Sequence, residues 1–156
     1  MGLEIDNISG ASSYFYQKIQ ANAFPTDIAV INTYYPIEAT PTPIVRTNVE
    51  LLDFVPLGSQ LKYINPITRK FKITATFSAE SDGTLLDIYR YGIFKNDVLQ
   101  GYVTVPLDNS VGYPRNTTVT ALIEMVENDL VECRVLNTEG IQGVIIFDML
   151  LTAISI

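Results

Sequence analysis

Three stretches place oxygen ligands where a chain would turn: Asp82-Gly83, Asp108-Asn109 and Glu127-Asn128-Asp129. Carboxylates and backbone carbonyls gathered in turns can hold a Ca2+ ion. The same residue types are also the preferred turn formers, because their side chains hydrogen-bond nearby backbone, and none of the three stretches has the spacing of an EF-hand loop. No cofactor is expected, Ca2+ being the one ion these turns could take. Two of the carboxylates could in principle serve glycoside hydrolysis, but that needs a fixed separation in space, and acidic residues on turns are mostly solvated. The tyrosines raise a second chemistry, since an aromatic face stacks on a sugar while the hydroxyl stays wet. Tyr102 and the loop carrying Asp108, Asn109, Tyr113 and Arg115 are the candidate contact surface. Tyr is equally common in sheets and at subunit interfaces, and the chain has no Trp.

The composition removes most other chemistry. There is no His and one Cys, so a histidine base, a His-containing zinc site and an intrachain disulfide are excluded. Cys133 lies in Leu-Val-Glu-Cys-Arg-Val, where Val131, Cys133 and Val135 share one strand face and Glu132 and Arg134 the other. That pattern predicts a buried, inert thiol. No enzymatic activity is expected. With 10 basic against 17 acidic residues and no basic run beyond Arg69-Lys70 and Lys72, nucleic acid is not an expected partner. Met-Gly-Leu-Glu-Ile-Asp at the start lacks the basic and apolar regions of a secretory signal, so synthesis and folding in a cytoplasm are expected. No apolar run reaches the ~20 residues of a membrane span, and Val144 to Ile156 is interrupted by Asp148, Thr152 and Ser155. Asn7-Ile-Ser and Asn116-Thr-Thr fit the glycosylation pattern but carry no meaning without export.

The elements that would position these residues fall into two regions. Residues 1–43 read as an N-terminal arm with a proline-rich connection, Tyr34 to Pro43, and the β-branched run Ile28 to Thr33 allows the first strand to begin near residue 24. Tyr14, Phe15, Tyr16, Ile19 and Phe24 are too apolar for a solvated tail and are the candidate anchor, docking on the chain's own domain, on a sister subunit or on another protein. Residues 44–156 alternate between strand and turn. Phe71, Ile73, Ala75 and Phe77 share a face; Leu86 to Lys95 closes at Asn96-Asp97, residues that tolerate left-handed conformations; Val98 to Leu107, Thr117 to Met125, Leu130 to Leu136 and Val144 to Ile156 follow, while Pro56-Leu57-Gly58 reads as a turn. About eight strands at this spacing predict an all-β, antiparallel sandwich or jelly roll.

The succession of Leu61-Lys-Tyr63, Asn65-Pro-Ile-Thr-Arg-Lys-Phe71, Ile93-Phe-Lys-Asn96, Val119 to Val131 and Val144-Ile-Ile-Phe-Asp-Met-Leu150 resembles the C1q/TNF-like jelly roll of bacteriophage and other viral structural proteins. Asp97 stands where that family's hairpin usually has Gly. The resemblance implies a homotrimer in which some of Tyr89, Tyr91, Phe94, Tyr102 and Phe147 face sister subunits. It implies a virion structural protein that decorates or stabilises a capsid, or a head fibre, attached through its arm or trimer base to the major capsid protein or another virion protein. The alternative it leaves is a receptor- or glycan-binding knob at a fibre tip, meeting a host-surface glycan. The chain lacks the Gly-X-Y stalk of a secreted C1q protein.

Overall fold

The computed structural model describes residues 12–18, 26–37, 53–57, 59–84, 86–107 and 114–156, and every regular element among them is a β-strand. In chain order these are β1 (Ser12–Lys18), β2 (Tyr35–Pro36), β3 (Phe54–Leu57), β4 (Gln60–Tyr63), β5 (Arg69–Ser81), β6 (Asp87–Lys95), β7 (Val98–Leu107), β8 (Arg115–Met125), β9 (Leu130–Asn137) and β10 (Val144–Ser155). No helix among the described residues is long and apolar enough to cross a membrane.

Two antiparallel sheets form a jelly roll. One has the order β1-β10-β5-β8; the other runs β3-β4-β9-β6-β7, with β2 pairing β9 beside β4. Strict period-two alternation drives the facing: along β5, Phe71, Ile73, Ala75, Phe77 and Ala79 are buried while the residues between them look outward. At one end of the core Phe54, Tyr63 and Phe71 meet in a triangle of rings with centroids 5.0 to 5.5 Å apart. Aromatic clusters of this kind contribute area burial plus edge-to-face attraction.

The sheet edges and turns follow local chemistry. Asn96 and Asp97 close β6 to β7 as a two-residue hairpin with φ of 46° and 67°, the positive pair that a type I′ turn requires. An extra residue, Phe147, bulges out of β10 between the pairs Ile146–Ala79 and Asp148–Ser78. The bulge resets the alternation, so that Val144 and Ile146 face the core before it and Met149, Leu151 and Ala153 after it.

Several expectations are corrected. The described part of the expected arm belongs to the sandwich: β1 pairs with β10 over seven residues, and Thr26 bridges Val144. Pro56 and Leu57 lie in β3, an edge strand, where a proline needs no ladder partner on its open side. Tyr89 and Tyr91 have no exposed surface and lie in the chain's own core, so neither can meet a sister subunit. The Tyr89 hydroxyl is accommodated there by Ser81 Oγ at 2.9 Å and by the carbonyl of Gly143 at 3.0 Å. Glu132, on the strand face it shares with Arg134, is buried and held by Gln60 Nε2 at 2.9 Å and by Arg134. Cys133 is buried as expected, and burial pushes its thiol pKa upward.

Candidate interaction surface

Strand β7 lies at the open edge of its sheet and runs antiparallel over β8, the edge of the other sheet. Gly101 permits the approach, because a Cβ there would sit 3.0 Å from the Thr120 carbonyl oxygen and 3.4 Å from the Ala121 Cβ. Lys95 Nζ spans the same seam to the Glu124 carbonyl at 2.9 Å. The ladder skips a residue between Ile93–Gly101 and Phe94–Leu99, a bulge at Gln100 that twists the edge. This flank presents Val98, Leu99, Tyr102 and Leu122 to the outside, with Tyr102 at 56% exposure and Leu122 at 70%.

Behind Tyr102 a row of rings and cations crosses the outer face of the second sheet. The Arg90 guanidinium lies 4.6 Å over the Tyr102 ring, Tyr34 meets Phe94 edge to face at 4.9 Å, and Arg134 lies 4.6 Å over Phe94. Burial raises the Tyr34 hydroxyl pKa, against the lowering effect of the Arg90 charge beside it. Gly92 makes room for the row: a Cβ there would fall 2.7 Å from the Leu99 side chain and 3.2 Å from that of Tyr34. Arg134 is fixed at the far end by ion pairs to Asp97 and Glu132.

The outer face of the first sheet differs in character. Thr74 faces Thr120 and Thr76 faces Thr118, with hydroxyls 3.2 and 3.1 Å apart, and Thr152 reaches the Thr74 carbonyl at 3.3 Å. Leu122 and Ile154 border this threonine field. Lys72 stands between Leu122 and Ile154 in the ladder.

The sequence candidates are distributed unevenly over these surfaces. Tyr102 is on the flank, Phe94 is buried beneath Tyr34 and Arg134, and Phe147 is half-buried at the β10 bulge. Tyr14, Phe15 and Tyr16 lie in β1 opposite Thr152, Leu151 and Leu150, while Ile19 and Phe24 fall outside the described residues. Asp108, Asn109 and Tyr113 also fall outside them; Arg115 opens β8 and is exposed. Leu122, Val98 and Leu99 were missed. For Leu122 the signal was present, since Ala121 and Ile123 carry the core parity of β8 and leave Leu122 outward. Among the described residues no group of three or more Asp, Glu or Cys gathers as a metal site. The Asp82 turn brings only Asp27 near; burial first and Asp27 second raise the Asp82 carboxyl pKa, opposed by a hydrogen bond from the Gly143 N–H.

Solved structures share this jelly-roll fold. The vertex protein P5 of PRD1 superposes with a TM-score of 0.60 at 13% identity, over 93% of this chain and 96% of that one. Murine APRIL superposes with a TM-score of 0.54 at 9% identity, over 93% of this chain and 99% of the other. No protein-family model matches the chain, and no curated protein matches it in sequence.

Proposed function

We propose that the protein is a non-enzymatic structural component of a phage virion, a homotrimeric jelly roll that decorates or stabilises the capsid from the virion surface. The likeness of the whole fold to a vertex protein carries this reading. Support for self-association comes from the pairing of surfaces on one chain: an apolar flank with Val98, Leu99, Tyr102 and Leu122, and a threonine field bordered by Ile154. A flank seated on a neighbour's face is a heterologous contact, which closes into a ring when the rotation permits. Attachment runs through the N-terminal segment or the base of the trimer, to the major capsid protein or another virion protein.

Light scattering on the purified chain tests the assembly. The expected mass is three times 17.3 kDa, and Leu122→Asp with Val98→Asp shifts it to the single-chain value without loss of β-sheet signal. A wild-type monomer at micromolar concentration overturns the trimer.

A second reading, a glycan- or receptor-binding knob at a fibre tip, draws on exposed Tyr102 with the Arg90 guanidinium stacked on its ring. Loss of cell binding in Tyr102→Ala, with the trimer mass retained, would favour it.

A further inference from the structure

Three buried side-chain polar atoms among the described residues have no hydrogen-bond partner: Tyr34 Oη, Arg90 Nε and Tyr91 Oη. Tyr91 belongs to the core, where its hydroxyl is sealed in. Tyr34 and Arg90 instead share the outer face of the second sheet, in the row that runs back from Tyr102. Burial raises the Tyr34 hydroxyl pKa, and Arg90 and Tyr102 then act on it in opposite directions, so the three polar ends lie together. A buried donor without an acceptor costs free energy, and it calls for a group that completes it.

Two arginines on this face show what is missing. Arg134 lies 4.6 Å over the Phe94 ring, and its donors are taken by Asp97 and Glu132. Arg90 lies at the same 4.6 Å over Tyr102, but among the described residues it makes no ion pair, and its ladder neighbours, Thr104 and Leu136, carry no charge. A guanidinium lying over a ring engages its flat face and leaves the in-plane N–H fork free, the fork that a carboxylate fits with two parallel bonds. Beside that fork stand two phenol hydroxyls, and Tyr102 keeps more than half of its surface open. An aspartate or glutamate side chain would fill the fork alone. A sugar ring carrying a carboxylate uses every part: the carboxylate meets Arg90, ring hydroxyls meet Tyr34 and Tyr102, and an apolar C–H face lies against exposed aromatic surface.

Resting on the reading of a glycan-binding knob, because a sister subunit seated over Tyr102 would close the site, we infer that Arg90, Tyr34 and Tyr102 form a binding site for an acidic sugar of the uronic-acid or sialic-acid type. The carboxylate supplies the acceptor that the buried donors lack, and a neutral sugar leaves the fork empty.

Saturation-transfer NMR on the full-length protein tests this with methyl glucuronide, the methyl glycoside of N-acetylneuraminic acid and, as the neutral control, methyl glucoside. At least one acidic sugar is expected to bind roughly tenfold or more tightly than the glucoside, and Arg90→Gln to remove that preference. Tyr34→Phe deletes only an unpartnered hydroxyl, so it is expected to weaken binding while leaving Tm unchanged or higher; a purely structural tyrosine would leave binding alone. Equal binding of acidic and neutral sugars, or undiminished binding by Arg90→Gln, overturns the inference and leaves the glycan reading intact. A solution mass that falls in Arg90→Gln, with no sugar bound by the wild type, assigns the carboxylate to a sister subunit and overturns it as well. If no sugar binds yet Tyr102→Ala still abolishes cell binding, the inference fails and the knob reading survives; cell binding unchanged in that variant removes both.

Discussion

Two aspartates show how the same side chain acquires opposite roles from its neighbours. Burial alone would raise the Asp129 carboxyl pKa, but the Val126 N–H, the Asn96 amide at 2.6 Å and the Lys95 ammonium overcome it and hold the group below its ordinary value. A depressed folded-state pKa adds stability above the unfolded pKa that is lost as pH falls through the folded one. Asp129→Asn should therefore cost about 1 to 2 kcal/mol near neutral pH, the scale of a lost buried hydrogen-bonded carboxylate, and the cost should vanish in acid. Asp82 has a raised pKa, so its protonated form is favoured by folding, and that contribution disappears as pH rises through the folded value. Asp82→Asn should accordingly raise Tm at pH 7, with the gain closing as the solution is acidified. Thermal melts of both variants from pH 3 to 8 check the pair; parallel pH curves would remove the electrostatic explanation. Neither effect was legible from sequence, which marked both residues as turn formers or calcium ligands without revealing Asp27, Lys95 or Gly143 nearby. Tyr89 and Tyr91 misled for a similar reason. A tyrosine in a strand reads as an interface residue until the partner of its hydroxyl, here Ser81 for Tyr89, is known.

Strands with strict alternation were the legible part of the fold. Val98 to Leu107 is recovered at both ends as β7, and the Asn96-Asp97 turn has the backbone that its residue types tolerate. Bulges were illegible, because the extra residue at Phe147 or Gln100 is set by the partner strand rather than by local composition. The flank was half legible: β8 parity marks Leu122, but only the crossing of β7 over β8 brings the two sheet edges together. That crossing hangs on Gly101. Gly101→Val should force the two edges apart and cost about 1 to 3 kcal/mol by overpacking, and on the proposed trimer reading it should promote dissociation to monomers at lower dilution than wild type. Chemical denaturation and light scattering at serial dilution measure the two effects, and an unchanged midpoint would show that the seam is loose.

For the molecule as a whole, the N-terminal region is where sequence and structure part most. The sequence presents an appendage; the structure makes β1 the outer neighbour of β10. A chain beginning at residue 12 should keep the wild-type melting cooperativity, whereas one beginning at residue 24 bares the β10 edge and should melt earlier and aggregate on heating. Equal melting of the two would mean that β1 adds nothing to the sheet. The same pairing bears on biosynthesis. Strand β10 stands between β1 and β5, so the first sheet joins the first and last of the described strands, with Ser12 opposite Ile154. During synthesis β1 has no partner and β5 has only β8 until β10 has left the ribosome. Closure of the first sheet thus waits on the synthesis of β10, and nascent copies on one messenger pass through a period in which β1 lacks its partner strand.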